Sequence, residues 1–285
     1  MERIPVRHIN EARKEPGLSD SFSIRDIHTL LAGKDMVQEL HRHDFFYVLA
    51  LKSATGNHDI DFAHYTICDN AVFFMRPGQV HQLVLKPEST GYLMQFSDEF
   101  YFPREKVSTQ LLRRASTIDH YQLNADDFQK LGTILSSILR EFAEKKERYE
   151  DVIKANMGIF FIGLTRLQSS NNTKKVSLYT QERLEKFLEL LETNIFTHKQ
   201  VVQYAEMLNL SVYQLNAITK ATLGKTCSEV INEHIILEAK RCLLATSNKI
   251  GQTAYRLGYE DISYFIRFFK KQTGYSPEAF RNNFR

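Results

Sequence analysis

The segment YAEMLNLSVYQLNAITKATLG at 204–224 returns, one helix later, as TAYRLGYEDISYFIRFFKKQTG at 253–274. Ala205 aligns with Ala254 and Leu208 with Leu257, 49 positions on. One residue is inserted near Asp261, and the offset becomes 50: Leu215 aligns with Phe265, Ile218 with Phe268, Lys220 with Lys270 and Gly224 with Gly274. Both copies share one grammar. A short helix carries a small residue where another helix approaches closely. A tight turn follows, NLS in one copy and GYED in the other, and a second helix packs through an apolar pair. Each copy is expected to fold as a helix-turn-helix, at about 201–222 and 250–273. A helical bundle with solvated lysines accounts for one such pattern. Two in register, joined by a long helix over Ser228 to Ala245, favour a paired unit.

The second helix of each copy shows what such a pair addresses. After Asp261, Phe265, Phe268 and Phe269 form an inward stripe, leaving Ser263, Tyr264, Arg267, Lys270 and Lys271 outside. Ser263 and Arg267 are four apart and share a face. In a helix-turn-helix this helix enters the DNA major groove and its N-terminal residues meet base edges. Arg267 suits a bidentate contact to guanine, and Lys270 and Lys271 suit phosphates. In the first copy Tyr213, Gln214, Asn216, Ala217 and Lys220 are outward, Asn216 toward an adenine and Lys220 toward a phosphate.

Charge distribution agrees with a polyanionic partner. From Lys174 onward there are 16 Lys and Arg against 11 Asp and Glu, a balance of +5, whereas the first 173 residues carry 21 against 23. Three distant cysteines without a CxxC argue for a reducing compartment and against structural zinc or a disulfide framework. The N-terminus lacks an apolar signal region, and no stretch is long enough to span a membrane. The expected setting is the cytoplasm.

Residues 177–285 resemble the C-terminal domain of AraC/XylS-type bacterial transcription regulators. The phrases INEHIILEAKRCLL at 231–244 and AYRLGYEDISYFIRFFKKQTGYSPEAFR at 254–281 carry the resemblance, with the first copy a weaker match. It implies two helix-turn-helix units in successive major-groove turns, about 34 Å apart, with positions 213, 216 and 217 and positions 263, 264 and 267 toward bases. Ala217 and His234 stand where many relatives have arginine. The resemblance also implies a homodimer, a small-molecule effector and activation through RNA polymerase.

The first half reads differently. Short aromatic and β-branched runs, punctuated by turns about every ten residues, predict a β-barrel over 35–122 after an N-terminal arm at 1–34. Helical periodicity follows in Phe128, Leu131, Leu135, Ile138 and Phe142, and again in Ile153, Met157, Phe160, Phe161 and Leu164. These predict a helical hairpin at 123–168, read as a dimer seam, and the polar run at 169–176 predicts a linker. The fold class is therefore mixed: a cupin-like barrel with a helical hairpin, then an all-α double helix-turn-helix domain.

HRHDFFYVLAL at 41–51 and RPGQVHQL at 76–83 resemble the two marks of a cupin barrel. His41, His43 and His81 offer three imidazoles to a metal, and a metal-dependent cupin enzyme fused to a DNA-binding domain is the alternative reading. Catalytic cupins usually add a glutamate after the HxH pair, however, and here Asp44, Phe45, Phe46 and Tyr47 follow. The expectation is a pocket without metal or other cofactor, and no catalysis. His41, His43, Tyr47, Tyr65, Arg76 and His81 would line it for a sugar or small carboxylate.

Overall fold

A computed structural model describes residues 4–9, 21–101, 106–171, 177–245 and 248–284. The chain divides into two units, Pro5–Asn172 and one built on Thr173–Arg285. Among the described residues no helix is long and apolar enough to cross a membrane.

The first unit is two facing five-stranded sheets. Its strands are β1 (Val6–Arg7), β2 (Phe22–Asp26), β3 (Met36–His43), β4 (Phe46–Ser53), β5 (Gly56–Ile60), β6 (Ala63–Ile67), β7 (Ala71–Met75), β8 (Val80–Leu85), β9 (Thr90–Phe96) and β10 (His120–Gln122). One sheet runs β1-β3-β8-β5-β6 and the other β10-β7-β4-β9-β2. Helices α1 (Ile27–Leu31), α2 (Asp98–Tyr101) and α3 (Lys106–Ala115) lie between strands in sequence, followed by α4 (Ala125–Glu144) and α5 (Tyr149–Asn171).

The apolar run FYVLAL explains why β4 sits at the centre of its sheet. All six residues are buried, because both faces of the strand are covered. Tyr47, Leu49 and Leu51 join Phe73, Leu83 and Leu85 between the sheets. Phe46, Val48 and Ala50 face the other way and pack with Phe128, Leu135, Phe160 and Phe161 of α4 and α5. The stripes read as a dimer seam are thus buried on the protomer's own barrel. What α5 leaves exposed is a smaller set, Val152, Ile159 and Ile162.

The arm expected at 1–34 also differs. Phe22–Asp26 pairs along its length with β9, from Phe22 opposite Phe96 to Asp26 opposite Tyr92, and Val6 pairs with Arg42. Residues 22–31 therefore belong to the barrel; residues 10–20 lie outside the described set. β2 escaped the sequence reading because its cavity-facing positions are Ser23 and Arg25, polar residues that hide the usual apolar-inward alternation. Of the linker expected at 169–176, residues 169–171 close α5 and 172–176 are not described.

The second unit is helical: α6 (Leu178–Asn194), α7 (Val201–Met207), α8 (Val212–Leu223), α9 (Cys227–Ala245), α10 (Ile250–Arg256), α11 (Ile262–Thr273) and α12 (Pro277–Asn283). The sequence repeat becomes a repeat of caps. Gln203 Oε1 accepts from the backbone of Gln200 at the start of α7, as Gln252 Oε1 does from Lys249 at α10. Asn209 and Gly258 take positive φ, +53° and +73°, in the two turns. Ser211 and Asp261 then cap α8 and α11, and Gly224 and Gly274 end them in the left-handed region. Ile231, Ile235, Ala239 and Leu243 of α9, one buried stripe at helical spacing, lie in the core of the unit.

Candidate functional site

The outward faces of α8 and α11 carry one set of side chains. On α11, Phe265 and Phe269 are fully buried while Ser263, Tyr264, Arg267, Lys270 and Lys271 are exposed. Asp261 Oδ1 accepts from the backbone N–H groups of Ser263 and Tyr264 at 2.8 and 3.1 Å, which fixes the first turn. The Arg267 side chain is 71 % exposed, with its guanidinium 4.0 Å from the Asp261 carboxylate, a loose and solvated pair. Phe268, expected inward, is half-buried and stacks parallel to Tyr264. The aromatic pair forms the rim of the face and not its floor.

On α8, Tyr213 is 83 % exposed, and Gln214, Ala217 and Lys220 are exposed with it. Gln214 spends its Oε1 on the backbone N–H of Ser211 at 2.8 Å. Asn216 departs from expectation. Its Oδ1 accepts from the Cys227 N–H at 3.0 Å and its Nδ2 donates to the Val212 carbonyl at 3.1 Å. The Oδ1 bond ties the start of α9 to α8 and the Nδ2 bond runs back within α8 itself, so Asn216 has a structural duty at this corner. Spacing alone could not show this, because its partner lies across a turn.

Within the helical unit, the two helix-turn-helix copies are tied to one another by the segment before α7. Lys199 Nζ donates to the carbonyls of Phe196 and Gly258, each at 3.2 Å, and lies over the Tyr259 ring. Burial lowers the Lys199 pKa. A Cβ on Gly258 would stand 2.0 Å from the Phe196 carbonyl oxygen, so this turn needs glycine for space as well as for φ.

The barrel encloses a cavity of about 940 Å³. His41, His43, His81 and Tyr47 line it, as the sequence led one to expect; Tyr65 and Arg76 do not. Tyr65 packs on Phe73 and His120, and Arg76 belongs to the turn where its N–H meets Gln79 Oε1 at 2.7 Å. The cavity's cations are instead Arg7 and Arg25, both from strands in the region read as an arm. Arg25 donates to Gln95 Oε1 at 3.0 Å and Arg7 to Gln38.

The histidines converge. His41 and His81 are register partners across β3 and β8, and a bulge after Gln38 helps set the registry that brings His43 beside them. Nε2 to Nε2 distances are 3.2 Å for His41–His43, 2.8 Å for His43–His81 and 2.9 Å for His41–His81. Behind them, His58 Nε2 lies 2.9 Å from His81 Nδ1. Burial pushes His41 down to about 4, His43 to about 2 and His58 to about 3, with His81 well below its ordinary value. The positive charge of Arg7 pushes His41, His43 and His81 the same way. All four are neutral imidazoles at neutral pH. His58 was missed in the sequence, where it is one polar residue in an alternating strand.

A family model described as a helix-turn-helix domain matches residues 204–283. The chain is 24 % identical over 246 residues to the HTH-type transcriptional activator RhaS of Yersinia pestis (strain Angola), covering 85 % of this chain and 88 % of that protein. It is 25 % identical over 247 residues to RhaS of Yersinia pseudotuberculosis serotype I, with the same coverage. Among solved structures, ToxT from Vibrio cholerae O395 aligns over 93 % of this chain and 98 % of its own, at 17 % identity and a TM-score of 0.43. The helix-turn-helix match spans the repeated helices and the RhaS alignments span barrel and helices together; this chain is a DNA-binding transcription regulator, and its sequence is similar to regulators of the AraC/XylS type.

Proposed function

We infer that the chain recognises a specific duplex sequence through Arg267, Ser263 and Tyr264 of α11 and Tyr213, Gln214 and Ala217 of α8, while Lys220, Lys270 and Lys271 hold phosphates. The observation that carries this is the division of α11: two buried phenylalanines on one side, and an exposed arginine, serine and tyrosine on the other. Two capped copies of such a helix in one unit give two reading heads, to be placed in successive major-groove turns. Asn216 is left out of the reading set, because its carboxamide is already paired.

The barrel acts as a sensor and not as an enzyme. A cavity of about 940 Å³ with Arg7 and Arg25 on its wall suits a small molecule bearing a carboxylate, with neighbouring amides for hydroxyl groups as in an acidic sugar. Occupancy changes the affinity of the DNA-binding unit by a coupling of ~1–3 kcal/mol. The protein works in the cytoplasm as a homodimer that activates transcription by touching RNA polymerase. The exposed Val152, Ile159 and Ile162 of α5 supply the apolar surface for pairing.

Selection of bound duplexes from a random pool, at fixed salt, tests the central reading. A preferred sequence should emerge, held ~10³-fold or more above the pool average. Equal affinity for every duplex would leave only a sequence-indifferent architectural binder.

A further inference from the structure

We propose that Lys199 is a positioning residue that selects the distance between the two duplex segments the protein reads. The inference rests on the assignment of α8 and α11 as paired reading heads, and it adds what holds them at one separation. Helices α7 and α8 of the first copy and α10 and α11 of the second all pack on α9. Two bodies that share one helix can swing about it. The angle between them is fixed only by a contact made outside that helix.

Lys199 makes such a contact. It stands before α7 in the first copy, and its Nζ donates at 3.2 Å to the carbonyl of Gly258, in the turn between α10 and α11 of the second. Its other bond, also 3.2 Å, goes to the Phe196 carbonyl three residues back. One ammonium thus spans a backbone oxygen of each copy. The approach is close: a Cβ on Gly258 would fall 2.6 Å from Nζ and 2.0 Å from the Phe196 carbonyl oxygen. Where backbone meets backbone, no side-chain rotamer is left to take up a displacement.

The tie continues to the reading face. Lys199 Nζ lies 5.1 Å from the centre of the Tyr259 ring. That ring packs 5.4 Å from Phe265, the buried floor of α11, and 5.9 and 6.0 Å from Tyr264 and Phe268. Tyr264 is a member of the reading set, so one ring separates Lys199 from a side chain aimed at the groove. A shift of the loop before α7 is passed to α11 through packed rings. The tolerance is small. Across heads about 34 Å apart, an angular error of about 6° carries one of them by the ~3.4 Å rise of a base pair.

The test rebuilds a selected duplex with one base pair inserted or removed between the two recognised segments. Binding is measured for the full-length wild type and for Lys199→Met, which keeps the length of the side chain without its charge. The wild type should lose ~10-fold or more at the altered spacing, the scale of one mismatched base pair. Lys199→Met should lose ~3-fold or less, with the same bases preferred in each segment. Weakening of Lys199→Met by one factor at every spacing would make Lys199 merely structural and overturn the proposal. A second measurement needs no DNA. Spin labels are placed on exposed positions of α7 and α10 through Glu206→Cys and Arg256→Cys, with the exposed Cys68 removed as Cys68→Ser. One narrow distance between the labels is expected, broadened when Lys199→Met is added; equal widths overturn the proposal. A pool that yields no preferred duplex would sink the base-reading assignment instead, and the label distances would still decide on Lys199.

Discussion

Arg267 and Lys270 sit one turn apart on α11, both exposed, and the proposed reading gives them different duties. Arg267→Ala removes the proposed bidentate contact and should cost ~1–3 kcal/mol at the preferred site while relaxing choice at one base pair. Binding assays against single-base variants of that site give the readout, and an unaltered sequence profile would remove Arg267 from the reading set. Lys270→Ala should weaken every duplex alike and lower the salt slope by about one; a slope equal to wild type would take Lys270 off the phosphate list. Asn216 is the residue whose part local spacing left incomplete. Outward position on α8 suggested an adenine reader, yet its carboxamide bridges Cys227 N–H and the Val212 carbonyl. Asn216→Ala should therefore lower stability by ~1–2 kcal/mol, seen in chemical denaturation, with base preference unchanged.

At the level of elements, the repeat is a repeat of punctuation. Capping glutamines, left-handed turn residues, N-caps and terminal glycines recur at an offset of 49 or 50, and each was open to sequence reading because caps are local chemistry. The docking of one helix-turn-helix copy on the other was not. It depends on Lys199 meeting Gly258, 59 residues away. Gly258→Ala forces a Cβ to within 2.0 Å of the Phe196 carbonyl at a φ of +73°. A loss of ~2–4 kcal/mol is expected from strain and clash combined. Thermal melting of the full chain measures it, and a melting temperature within a degree of wild type would show that the turn gives way freely. The strands divide likewise. β4 and β7 were readable as continuous apolar runs, whereas β2 was hidden by a polar face turned to an interior cavity.

Across the whole molecule, the remaining question is what the helical hairpin does beyond roofing the barrel. Its main stripes are consumed inside the protomer. Among the described residues of α5, the smaller row of Val152, Ile159 and Ile162 stays exposed, Ile159 at 55 %. Ile159→Lys should shift sedimentation from dimer to monomer and weaken binding to a two-site operator, with the melting temperature little changed. A dimer that persists in this variant would place the seam elsewhere.

The DNA-binding half was readable in the residue string because its information is local. Helix periodicity, caps and turn glycines act within a few positions, and the duplication printed them twice. The barrel was readable only as a class. Its interior gathers Arg7, Arg25, His41 and His81 on the cavity wall and His58 behind them, from five strands, and nothing local marks which polar residues will meet. Pairing register and a bulge in β3 choose those neighbours. A one-residue slip would turn every one of these side chains to the opposite face, so the composition of the site belongs to the assembled sheets.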